Sequence, residues 1–327
     1  MHMNRHTNQP ELLIPAGGTD ALHVAVDCGA DAVYLGGSAF SLRGKAENFS
    51  SEEMADGIAF AHKNGVKVYV TVNAFAHEPD LADIEAYLAG LALLAPDALI
   101  IADPGVFAMA RRICPRIPVH ISTQANSLNH ETCLFWYGLG VKRIVLAREM
   151  TLADIRAVRS AIPEDMEIEC FVHGAVCMAY SGRCHMSAHL AGRDANTGFC
   201  TQSCRWNYTV VEEKRPGQFM PVEETEAGTQ IFAANDLCMI AHIPELVHAG
   251  IDAFKVEGRT KTATYVRKVT ETYRSAIDDY FKDASLYEAN IPRYLEQLRE
   301  GASRPFDTGF YFGQAEGSFG HAEGSTA

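Results

Sequence analysis

The chain lacks several things whose absence narrows its class. No run of about eighteen consecutive apolar residues occurs, so the sequence gives no sign of a membrane-spanning helix. The opening MHMNRHTNQP has none of the apolar core of a secretory leader, and a cytoplasmic protein is expected. No low-complexity tract appears, and no GxGxxG fingerprint follows the first apolar run, which weighs against a dinucleotide-binding open sheet. Basic residues are scarce: 28 Lys and Arg face 41 Asp and Glu, a net charge of −13 that disfavours broad contact with a polyanion. Cysteine is sparse and odd in number at nine. In a reducing compartment such thiols serve metal binding or chemistry more often than a disulfide framework.

What is present is a 47% hydrophobic chain of 327 residues, enough for a large core. Short apolar runs alternate with helical stretches. ELLIPAG precedes a helix from about Thr19, DAVYLGG one from Ser51, KVYVTVNAF one over Leu81 to Leu94, and ALIIADPG one over Val106 to Arg112. PVHISTQAN and KRIVLARE precede helices from His130 and Thr151, and EIECFVHGA and DAFKVEG complete eight runs. Continuous apolar strands belong to parallel sheets covered by helices on both faces. The pattern predicts an α/β fold, a (β/α)8 TIM-type barrel over 11–282, with an open doubly wound sheet as the alternative. Residues 1–10 are expected to be disordered, and 283–327 to form a partly disordered extension.

Barrel chemistry sits where strands end. There the sequence places Asn73, Gln124, Arg148, Lys255 and Arg259 as substrate-binding candidates, and His173, Arg148 and Glu257 as catalytic ones. His77, Asp103, Asn126 and Glu149 add polarity, although Asp103 and Asn126 also suit helix caps. Taken together the donors fit a carboxylate or phosphate.

Between the seventh and eighth runs lies an insertion of about eighty residues, with its core at 174–234, far longer than an ordinary barrel loop. It carries Cys177, Cys184, Cys200 and Cys204, and Cys238 follows as a helix begins. Soft thiolates in a Gly-rich loop suit an iron–sulfur cluster. Zinc sites show paired short knuckles, and only Cys200 with Cys204 approaches one. Cys28, Cys114, Cys133 and Cys170 sit in apolar segments and read as small buried hydrophobes.

The stretch ECFVHGAVC, followed after four residues by GRCHMS, resembles the signature of the collagenase-like peptidase U32 family, and ELLIPAGG, STQAN, KVEGR and TGFYFG extend the similarity. The block from HGAVCMAYSGRC to HAGIDAFKVEGR is most similar to the branch associated with prephenate-dependent hydroxylation of the wobble uridine of tRNA. The resemblance implies a [4Fe–4S] cluster on Cys177, Cys184, Cys200 and a fourth thiol, with Cys238 placed ahead of Cys204. It implies tRNA rather than DNA as partner and prephenate as cosubstrate; no membrane association is expected from the lack of a long apolar run, and a partner subunit or homo-oligomer is left open.

Three activities compete. An RNA hydroxylase would stack a flipped uridine on Tyr180, Trp206 or Tyr208 while Arg148 or Arg259 takes a carboxylate. A peptidase would activate Cys177 or Cys184 through His173 or His185. An oxygen-independent hydroxylase of a quinone precursor would use the same cluster with a different pocket. For the first, Arg183, Arg193, Arg205, Lys214 and Arg215 in the insertion, with Lys255, Arg259, Lys261, Arg267, Lys268 and Arg274 after it, could form an anion track.

Overall fold

Eight parallel strands close into a barrel in a computed structural model, which describes residues 9–42, 47–177, 179–206, 223–225, 228–230, 235–300, 302 and 304–313. The expectations for residues 1–8, Tyr208, Lys214, Arg215 and 314–327 lie outside the described residues. In order the strands are β1 Glu11–Pro15, β2 Ala32–Gly36, β3 Lys67–Val72, β4 Ala98–Ile101, β5 Val119–Ile121, β6 Arg143–Val145 and β7 Glu167–Ala175. The eighth, Ala253–Val256, pairs with β7 on one side and β1 on the other and closes the ring. The open-sheet alternative is thereby excluded.

Local chemistry sets the alternation. Four crossover helices start where a polar side chain takes orphan backbone N–H groups. Ser50 and Glu53 form a capping box for α2, Ser51–Lys63, and Thr151 with Asp154 does the same for α6, Leu152–Ala161. Asp103 accepts from Gly105 and Val106 at the start of α4, Pro104–Ile113, so this acid is a cap and not part of the pocket. Helices α1 (Thr19–Asp27), α3 (Leu81–Leu94) and α5 (His130–Gly138) fill three further crossovers, and α7 (Met186–Ala191) and α8 (Ile243–His248) lie in the long seventh connection.

Alternation along each strand gives two cores. Leu12, Ile14, Val33, Leu35, Val68 and Val70 face the helix layer. Leu13, Tyr34, Tyr69, Ala98 and Ile100 form a separate cluster inside the barrel. Below the mouth the interior is ionic: Arg143 bonds to Glu11 and lies 2.6 Å from Glu167 and 3.4 Å from Glu169, while Lys255 lies 2.6 Å from Glu169.

β7 departs from simple alternation. The pairing with the eighth strand runs Lys255 to Phe171 and then Val256 to His173, a bulge that skips a residue. Gly174 follows at φ 102°, and a Cβ there would come within 2.6 Å of the Glu257 carbonyl, so only glycine fits. Past the bulge the strand peels outward and pairs antiparallel with Asp236–Cys238. That short strand in turn pairs with Phe306–Asp307. After the barrel, α9 (Ala263–Lys282) and α10 (Ala284–Arg299) pack together with Tyr287, Tyr294 and Leu298 buried, so residues to Gly313 join the folded body.

Candidate active site at the barrel mouth

A cavity of about 500 Å3 opens at the C-terminal ends of the strands. Asn73, Gln124, Arg148, Lys255, Glu257 and Arg259 all line it. Tyr34 and Phe171 line it with aromatic rings, beside Leu42, Ile100 and Val145.

Each cation is held in place. The Lys255 ammonium sits 4.4 Å above the Tyr34 ring and 5.4 Å from Phe171, and burial pulls its pKa below the ordinary lysine value against the opposing pull of Glu169. The Arg148 guanidinium stacks 3.9 Å from the centre of Phe171 and donates to Glu257 at 3.4 Å. Arg259 donates to Ser41 at 2.6 Å and Thr71 at 3.0 Å. Asn73 donates to the Gln124 side chain at 3.3 Å, which ties β3 to the loop after β5.

The remaining polar residues of the mouth anchor the insertion. Glu149 accepts from the Ser181 amide at 2.6 Å, the Ser181 hydroxyl donates to Asn126 at 2.6 Å, and Arg183 donates to the Gln124 carbonyl at 3.0 and 3.1 Å. The Phe75 amide donates to Asn196 at 3.1 Å. Bonded through backbone and side-chain groups to the loops after β3, β5 and β6, the insertion forms the upper wall of the cavity.

Cys177, Cys184, Cys200 and Cys204 lie on that wall. The Cys184 sulfur accepts from the Met186 amide at 3.3 Å, and the Cys200 sulfur from Gln202 at 3.4 Å. Among the described residues no three His, Cys, Asp or Glu side chains are gathered closely enough to hold a metal ion, so the thiols share a wall without converging. Cys238 is not on that wall. It is buried on its strand in the helix layer, hydrogen-bonded with Tyr273, and burial pushes its thiol up to about 11. Cys114, Cys133 and Cys170 are buried as the sequence implied, whereas Cys28 is half-buried and donates to Glu271 at 3.4 Å.

His173 does not face the cavity, which corrects its expected place at the mouth. The β7 bulge turns it outward among Tyr265, Tyr273 and Phe306. Burial, helped by Lys261, lowers it to about 3, so it is neutral and a weak base. The anion track is corrected too: Arg267, Lys268 and Arg274 pair with Glu271, Glu300 and Asp31 along α9. Sequence reasoning missed Tyr34 and Phe171 because it looked only past strand ends. An acid in the middle of the apolar strand EIECF, Glu169, was the signal that the barrel interior holds a charge.

A model of peptidase family U32 matches residues 17–319. The chain is 41% identical to tRNA hydroxylation protein P1 of Bacillus subtilis (strain 168), over 97% of this chain and 73% of that protein. It is 48% identical to tRNA hydroxylation protein P of Helicobacter pylori (strain J99), over 93% and 72%. With the 23S rRNA 5-hydroxycytidine synthase of Escherichia coli (strain K12) it shares 37% identity over 84% of this chain and 40% of that protein.

Proposed function

The chain belongs to peptidase family U32, and from that premise we propose that it is an RNA-hydroxylating enzyme, acting on the wobble uridine of tRNA with prephenate as cosubstrate. The observation that carries this reading is the kinship with relatives named for hydroxylating tRNA and rRNA, joined to a cavity whose volume is in the range of small-molecule sites. A pyrimidine extruded from its stack reaches such a cavity, where Phe171 and Tyr34 offer ring faces. Arg148 and Arg259, fixed by Glu257 and by the Ser41 and Thr71 hydroxyls, take the carboxylates of the cosubstrate. The described part of the insertion walls one side of the cavity and would limit the water that reaches the reacting base.

A [4Fe–4S] cluster fits the donor set: soft thiols on one cavity wall, two already accepting backbone N–H bonds of the kind that tune cluster sulfurs. Cys177, Cys184 and Cys200 would hold it, and it would supply one-electron chemistry. For the fourth ligand the sequence match favours Cys238 and the cavity wall favours Cys204. The peptidase reading loses one of its two candidate bases, since His173 lies behind β7 and burial makes it a weak base; His185, exposed next to Cys184, is the base left to it.

The test is mass spectrometry of tRNA and rRNA nucleosides from cells with the gene deleted and restored. A 5-hydroxylated pyrimidine should vanish and return; unchanged nucleosides would remove the RNA reading. Iron and sulfide measured after anaerobic purification should fall sharply in Cys177→Ala, Cys184→Ala and Cys200→Ala. Loss in either Cys204→Ala or Cys238→Ala names the fourth ligand, and full iron in all five variants would end the cluster proposal.

A further inference from the structure

We infer that Lys255 is a carbonyl-capturing amine, which with Glu169 as its proton partner binds a 2-oxo acid in the cavity as an imine. The inference deepens the cosubstrate part of the proposed function, prephenate being itself a 2-oxo acid, and does not rest on the RNA part.

The geometry separates Lys255 from ordinary ionic glue. Arg143 and Glu169 belong to the same buried network, yet neither lines the cavity; Lys255 does, at 3% exposure. A buried pair that only stabilised the barrel would gain little over well-packed apolar residues, because desolvation offsets its attraction. Here the pair sits instead where a ligand can reach the nitrogen. Nucleophilic lysines need an amine that can shed its proton in a dry pocket beside an acceptor. Glu169 provides the acceptor, with Oε1 2.6 Å from Nζ and Oε2 turned to Arg143 at 3.4 Å. Tyr34 and Phe171 cover the nitrogen with ring faces, and burial already draws the ammonium toward its neutral form.

The same cavity defines the ligand class. A carbonyl carbon suits the amine, a carboxylate suits Arg148 or Arg259, and an apolar body suits the rings. Only an acid with an adjacent keto group places the first two side by side. In the step, the ammonium proton passes to Glu169 and Nζ forms a bond to the carbonyl carbon. Glu169 returns that proton to the alkoxide, removes one of the two remaining N–H protons and delivers it to the carbinol oxygen. The C–O bond breaks and water leaves. The product is a protonated imine, Glu169 is again a carboxylate, and no oxidant or reductant is consumed.

The experiment uses the full chain, purified without oxygen and kept free of RNA. It is incubated with pyruvate or phenylpyruvate and sodium cyanoborohydride, then digested and mapped by mass spectrometry. A single reduced adduct on Lys255 is expected, blocked by excess phenylacetate and absent from Lys255→Arg. Glu169→Gln should slow labelling by about a hundredfold. Absence of adduct on wild-type protein, or adducts spread over surface lysines and unchanged in Lys255→Arg, would overturn the inference. The wild-type map decides even where a variant fails to fold, and the nucleoside assay can fail while this label stands.

Discussion

Single residues in this barrel carry unusually sharp constraints. A Cβ on Gly36 would lie 2.2 Å from Arg259 Nη1, 2.5 Å from the Ser41 hydroxyl and 2.9 Å from the Thr71 hydroxyl. The end of β2 is therefore glycine because Arg259 passes directly over it. Gly36→Ala is expected to leave the fold intact while displacing the guanidinium, lowering hydroxylated-nucleoside yield by about tenfold or more, in the range of a lost charge-assisted contact. An unchanged yield would show that Arg259 does not touch ligand. His120, on β5, is buried against Tyr69, and its Nδ1 meets no partner among the described residues. Burial first, then Arg143, Lys255 and Lys67, hold its pKa well below 6.5. The folded state thus keeps it neutral while the unfolded chain protonates it below about 6.5, so its contribution is complete above that pH and is lost as pH falls. Melting temperature should decline more steeply below pH 6.5 in the wild type than in His120→Gln; parallel slopes would sink the assignment.

At the scale of elements, β7 shows where sequence reading succeeds and where it stops. Its apolar run marked it as a parallel strand, and the burial of Ile168, Cys170 and Val172 in the helix layer bears that out. The reading placed His173 in the mouth because it stands at the C-terminal end of the seventh apolar run. The bulge before Gly174 reverses the direction, and a bulge is set by pairing with the next strand, more than eighty residues later in sequence. Asn73, Gln124, Arg148, Lys255, Glu257 and Arg259 were legible because strand ends in a barrel converge whatever the details of packing. The outer support of β7 was not legible, since it comes from the chain's far end. There Tyr311 donates to the Phe171 carbonyl at 2.6 Å, and the Leu152 amide donates to the Tyr311 carbonyl at 2.9 Å. Tyr311→Phe should cost about 1–3 kcal/mol by leaving a buried carbonyl without its donor, and Tyr311→Ala about 3–5 kcal/mol through the cavity it opens. Denaturant titration measures both; a difference near zero for Tyr311→Phe would show that the tail does not brace Phe171.

For the whole molecule the question is how a chain of net charge −13 approaches RNA. Nonspecific affinity comes mainly from phosphate contacts, each releasing counterions. Arg267, Lys268 and Arg274 of α9 are spent on acids, Lys255 and Arg259 are buried, and among the described residues the exposed cations of the insertion are Arg183 and Arg193, with Lys261 half-buried at the cavity. Beside them the insertion exposes Tyr180, Phe199 and Trp206 at 55%, 51% and 42%, large ring faces at a rim where bases could stack. On the proposed reading such a surface would hold RNA by a few phosphates and by stacking, with the acidic body repelling stretches of backbone that do not enter the mouth. Two to three contacts at about 0.7 per phosphate for unpaired strands predict a slope of log affinity against log salt of roughly −2. Binding of an anticodon stem-loop across a salt series measures it, and Tyr180→Ala with Trp206→Ala should weaken binding by about 1–3 kcal/mol per stacked base without changing the slope. A slope of about −6 or steeper would mean that RNA tracks a far larger cationic surface than the described residues offer, and would move the docking site away from this rim.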